Sequence, residues 1–184
     1  MNFMKRLISI QSKKDIPIQY QDTPIGLLFE YHNFGRPDDV YSNPQLLISM
    51  CMDNRKRIHI PDNFSFIIRT GGSNLRYSEF KVSYAISVGG VRHLVLIGHT
   101  QCGMVDLMSQ KEQFVQGLVE RAGWTRQAAE EHFTDSVPIF EIGNAVDFVL
   151  NETKRLKLRY SKIEIVPLMY RVEDNLLYMI KEDQ

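Results

Sequence analysis

The amino-acid sequence predicts an α/β protein with a mainly parallel central β-sheet flanked by helices. Three observations carry this. The runs 46–51, 93–99 and 163–168 are almost continuously apolar, as strands are when helices cover both faces of a sheet. Between the runs, apolar residues recur at helical spacing, most clearly at Ile142, Val146, Val149, Thr153 and Leu156. Strand-like and helix-like segments alternate, which is the order of a parallel sheet with crossover helices.

Taken in order, residues 1–22 are mixed and polar and are expected to form an arm rather than a core element. Thr23-Pro24 then offers an N-cap followed by proline at the first helical position. Ile25, Leu27, Leu28 and Tyr31 form an apolar face behind it. Residues 35–43, rich in Pro, Asp and Asn, read as a loop. The first strand follows at 46–51 and a second at 64–70. A helix comes next, with Tyr77, Phe80, Tyr84 and Val88 at helical spacing and Gly89-Gly90 to end it. Its aromatic stripe is expected in the core or at a subunit interface. The third strand, 93–99, is separated from the fourth, 163–168, by longer helical segments. With no internal repeat, residues 1–184 are expected to form a single domain, 1–34 being an N-terminal arm and helix.

Composition narrows the function. Basic and acidic residues number 22 each, so the formal net charge is zero and no nucleic-acid partner is expected. A chain with no net charge has little repulsion to keep it apart, which favours a homodimer or higher homo-oligomer. No apolar run has the length of a membrane span. The opening eight residues turn polar too quickly for a signal peptide, so a cytoplasmic location is expected. Two cysteines in an unexported chain then point to metal or redox chemistry rather than a structural disulfide.

Both cysteines stand where a metal site needs them. Cys51 closes one apolar run, and Cys102 follows another, three residues after His99. A buried cysteine at a strand end is ordinarily a small hydrophobe. Two thiolates and an imidazole together make a three-protein-ligand zinc set, leaving a fourth position for water or a carboxylate. Asp53, two residues past Cys51, can supply that carboxylate. Cys51 and His99 also fall at carboxyl ends of strands, where ligands of parallel sheets gather.

Cys51-Met52-Asp53-Asn54-Arg55 has the form C-x-D-x-R, and His99-Thr100-Gln101-Cys102-Gly103 the form H-x-x-C-G. In these motifs and their order the chain resembles the β-class carbonic anhydrases, especially the short Cab-like branch. The resemblance extends from Leu46 to Tyr178, with Arg69-Thr70-Gly71-Gly72 standing where the family usually has R-N-A-G. It implies one zinc ion per chain on Cys51, His99 and Cys102. It further implies an Asp53–Arg55 dyad in which Arg55 holds Asp53 off the metal, and Asp53 accepts a hydrogen bond from the metal-bound water. In a closed form Asp53 becomes the fourth metal ligand. The implied reaction is reversible hydration of CO2 to bicarbonate and a proton by zinc-bound hydroxide. Gly71, Gly72 and Gly103 would let backbone approach the substrate. The family dimer implies a site at the subunit boundary and an N-terminal helix reaching over the partner. Departures from the family pattern are Thr70, Gly71, Gln101 and Lys56. Two alternatives share the scaffold: hydrolysis of COS or CS2, and a non-catalytic zinc protein.

Overall fold

The structure is a computed structural model describing residues 3–181. Its elements in chain order are β1 (Leu7–Ser9), α1 (Pro24–Phe34), β2 (Leu46–Cys51), β3 (Ser65–Thr70), α2 (Glu79–Ser87), β4 (His93–His99), α3 (Lys111–Ala122), α4 (Arg126–Phe140), α5 (Ala145–Arg159), β5 (Glu164–Arg171) and β6 (Leu176–Ile180). Six strands form one sheet in the order β1-β6-β5-β4-β2-β3. The four strands β3, β2, β4 and β5 run parallel; β6 and β1 add to one edge in antiparallel fashion. The predicted class and all four predicted strands are present.

The sheet is apolar on both faces because its central strands alternate between two cores. Leu46, Ile48 and Met50 of β2, with Val95 and Ile97 of β4, face a layer that contains Ile25, Leu28 and Phe29 of α1. Leu47 and Cys51, with Leu94 and Leu96, face a layer built by Val82 and Ala85 of α2 and by Val146, Val149 and Leu156 of α5. Close packing of α5 on β4 depends on Gly98: a Cβ there would lie 2.7 Å from a Val149 methyl and 2.8 Å from the Met169 sulfur. Helix α1 starts as its sequence dictates, with Pro24 at its first position and Thr23 Oγ1 accepting the Gly26 N–H. It ends at Gly35, whose φ of 65° is the left-handed cap. Among the described residues no helix is long and apolar enough to cross a membrane.

One expectation needs correction. Residues 1–22 are not an arm throughout: 7–9 form β1, paired with β6, and Ile10 and Ile16 are buried in the core. A three-residue strand is too short to show alternation, and its register is set by a partner at the far end of the chain. Residues 1 and 2 lie outside the described part. Helix α1 packs one face on its own sheet, where Ile25, Leu28 and Phe29 are fully buried. The aromatic stripe of α2, expected in the core or at a subunit interface, lies outside the core. Tyr77, Phe80, Tyr84 and Val88 are 71, 82, 51 and 66% exposed, and the helix turns its smaller residues, Val82 and Ala85, to the sheet. Spacing identifies a stripe but not the side on which the sheet lies. At the end of this helix a Cβ on Gly89 would meet the Phe66 ring at 2.4 Å, so the approach to β3 admits only small groups.

Candidate metal centre

Parallel pairing of β2 with β4 sets Met50 opposite Ile97, so Cys51 and His99 emerge together at the carboxyl edge of the sheet. Beyond β4 the chain turns sharply at Gln101, whose φ of 56° lies in the left-handed region. Cys102 thereby comes back beside Cys51, with 4.0 Å between the two sulfurs. The donor atoms of Cys51, His99 and Cys102 all lie within 4.8 Å of one another, and all three residues are buried.

The chemistry of this set fits a metal ion. His99 Nδ1 lies 2.8 Å from the Thr100 carbonyl oxygen. A carbonyl only accepts, so Nδ1 carries the proton and Nε2 presents a lone pair. That Nε2 is buried with no hydrogen-bond partner. The Cys51 sulfur accepts the Gly72 N–H at 3.3 Å. Donation from the neighbouring Cys102 thiol is the main cause that pulls the Cys51 thiol down; burial opposes it, while His99, the Asp53 backbone and the Lys56 charge assist. Cys102 is pushed up, first by that same hydrogen bond and then by burial. The pair thus shares a proton that a cation at the site would displace. Two sulfurs and one imidazole could hold a soft divalent metal and would leave a coordination position free.

Asp53 and Arg55 stand beside this set, on the loop after β2. The Arg55 backbone N–H and Nε donate to Asp53 Oδ1 at 2.9 and 3.1 Å, and Nη2 donates to Oδ2 at 2.6 Å. The guanidinium holds the Asp53 carboxyl well below the usual carboxylate range, against the opposing effect of burial. Arg69 clamps the same loop, donating to the Cys51 and Lys56 carbonyls at 3.2 Å each. Lys56 is only 1% exposed, its Nζ has no hydrogen-bond partner, and burial pushes its ammonium down. A cleft of about 580 Å³ opens here, with Cys51, Asp53, Arg55, Gly103 and Met104 in its lining.

The glycines divide. Gly103 lines the cleft, and a Cβ there would meet nothing within 4 Å. Gly71 and Gly72 sit beneath Met104 and Ile142; a Cβ on Gly72, where φ is 61°, would come 2.7 Å from an Ile142 methyl. Gly72 therefore serves Cys51 through its N–H. Two residues at the site carry no motif signal for the part they play. Gln101 accepts from Arg55 Nη1 at 3.1 Å, and its backbone carbonyl accepts from Nη2 at 2.9 Å. Glu173, in the turn between β5 and β6, accepts from Gln101 Nε2 at 3.1 Å and from Thr100 Oγ1 at 2.8 Å. Gln101 is visible in the sequence as a departure from the family pattern; Glu173 is 72 residues away and has no local mark.

A family model described as carbonic anhydrase matches residues 51–177. Among solved structures, the fold is similar to a carbonic anhydrase from Glaciozyma antarctica (TM-score 0.60, 22% identity, 79% of this chain and 88% of that one). It is also similar to β-carbonic anhydrase isoform I from Trichomonas vaginalis (0.64, 17%, 80% and 90%). A third similar structure is the apo form of a carbon disulfide hydrolase (0.55, 16%, 84% and 85%). At these identities the likeness is one of fold. No curated protein matches the chain in sequence.

Proposed function

The chain belongs to the carbonic anhydrase family, and from that premise we propose that it interconverts CO2 and bicarbonate with one zinc ion per chain held by Cys51, His99 and Cys102. The observation that carries the reading is the juxtaposition of the buried Cys-His-Cys donors with a carboxylate, two residues on from Cys51, that is fully engaged by an arginine, Cys51 and that carboxylate lining one cleft. When bound, zinc supplies a Lewis acid that ionises water near neutral pH.

The chain's own residues do the rest. Asp53, kept ionised by Arg55, accepts a hydrogen bond from the attacking oxygen and aims its free lone pair at the substrate carbon. Arg55 is committed to Asp53 through three hydrogen-bonding groups, so the carboxylate is withheld from the metal position. Gly103 leaves the cleft wall open to a small, linear, weakly polar molecule. Released as fourth ligand, Asp53 would close the site. We place the protein in the cytoplasm as a homodimer or higher homo-oligomer, acting as a single domain. The exposed Tyr77, Phe80, Tyr84 and Val88 face supports the association.

A second reading is hydrolysis of CS2 or COS, which are cumulated molecules of the same shape as CO2; the fold likeness to a carbon disulfide hydrolase favours keeping it in the test. Stopped-flow CO2 hydration by the zinc-loaded protein, run beside sulfide release from COS and CS2, separates the two. The expected result is CO2 hydration reduced by at least about a hundredfold in Arg55→Ala and in Asp53→Ala, with zinc retained. Hydration at the parent rate in both variants would remove the dyad from the mechanism. Sulfide release without CO2 hydration would replace the substrate, and neither activity would leave a non-catalytic zinc protein.

A further inference from the structure

We propose that Gln101 and Glu173 are positioning residues that lock Arg55 onto Asp53 and so set whether the Asp53 carboxylate stays away from the metal ligands. The inference rests on the reading above and adds residues to it. Arg55 is 43% exposed at its side chain, and an ion pair at such a position is ordinarily weak and mobile. Something must hold the guanidinium if it is to hold Asp53. Its Nε and Nη2 serve Asp53, and Gln101 takes two further N–H groups: Nη1 donates to the side-chain oxygen at 3.1 Å and Nη2 to the backbone oxygen at 2.9 Å. Among the described residues, the group of donor atoms within 4.8 Å of one another contains Cys51, His99 and Cys102 and no carboxylate, so Asp53 stands apart from it.

The lock has a fixed polarity. Arginine only donates and carboxylate only accepts, so the Gln101 amide must turn its oxygen to Arg55 and its NH2 to Glu173. Glu173 is anchored in turn: its other oxygen accepts from Thr100 Oγ1 at 2.8 Å, and that hydroxyl accepts the Val172 N–H at 2.9 Å. The turns after β2, β4 and β5 are tied through one amide. An acidic side chain at 101 would face Glu173 with like charge and compete with Asp53 for Arg55. The φ of 56° at Gln101 is a strained value for a residue with a side chain, and it is held where the lock needs it.

The test is thiocyanate binding to the cobalt-substituted full chain, followed by visible absorption. A fourth position closed by Asp53 excludes thiocyanate, and this readout does not depend on turnover. Gln101→Ala is expected to weaken thiocyanate binding about tenfold, the worth of one net charge-assisted hydrogen bond. Glu173→Gln, which lets the amide turn over, should weaken it severalfold and should add nothing in the Gln101→Ala background. In the Asp53→Ala background both effects should vanish, because no carboxylate is left to close the site. Parent-like binding in Gln101→Ala, or a loss that persists without Asp53, overturns the proposal. A parent protein that binds thiocyanate but turns over neither CO2 nor CS2 overturns the assigned activity and leaves the lock to be judged by the titration. A chain that takes up no cobalt overturns both.

Discussion

His99 shows how one side chain is committed by its neighbour. Its Nδ1 proton is held by the Thr100 carbonyl, so Nε2 is oriented toward the two sulfurs as a donor before any ion arrives. Cys51 is prepared in the same sense by the Gly72 N–H. Removing any one of the three donors leaves two, too few for tight binding. Cys51→Ser, His99→Ala and Cys102→Ser are therefore each expected to fall from about one zinc per chain to less than about a tenth of that after dialysis. Metal analysis by mass spectrometry checks this, and full occupancy in all three variants would reject the assignment of the site.

At the level of elements, the helix that covers one sheet face is pinned by a single amide. Asn33, near the end of α1, donates to the carbonyls of Ile10 and Leu177 at 2.9 Å each and accepts the Leu177 N–H at 3.0 Å. It joins α1 to β6 and to the segment leaving β1. Asn33→Ala removes three hydrogen bonds in a half-buried place and should destabilise the fold by about 2–3 kcal/mol. Zinc content should not change, because β2 and β4 keep their register without it. Urea denaturation measures the loss, and a difference under about 0.5 kcal/mol would show that packing of Ile25, Leu28 and Phe29 holds the helix unaided.

For the whole molecule, stability depends on pH through His32. This ring is buried beneath the sheet, stacked on His59 with centroids 6.1 Å apart, and accepts the His59 backbone N–H at 3.1 Å. Burial, with the like charge of His59, pushes it down from 6.5 to about 4. The unfolded chain therefore takes up a proton that the folded chain refuses. Its contribution is complete above pH 6.5 and is lost as pH falls toward 4, by about 3 kcal/mol in all and about 2 kcal/mol by pH 5. Urea denaturation at pH 7 and 5 should show that difference in the parent. In His32→Gln, whose amide oxygen can still accept the His59 N–H, the difference should shrink by most of that amount. An unchanged pH dependence in the variant would remove His32 as its cause.

What the sequence determined by itself was everything written in local periodicity or covalent spacing. Strands β2 and β4 are legible because both their faces are apolar, α5 because its stripe is continuous, and the start of α1 because a cap and a proline are adjacent. The ligand candidates are legible because Cys51 and His99 end strands that a parallel sheet must bring together. Only the tertiary structure decided what depends on partners distant in sequence. The pairing of β1 with β6, the docking of α1 on its own sheet and the side of α2 that faces the core are of this kind. So is the tie from Arg55 through Gln101 to Glu173, across 46 and then 72 residues. A hydrogen bond at that separation leaves no periodic trace. It exists because three parallel strands end side by side and place their turns within reach of one amide.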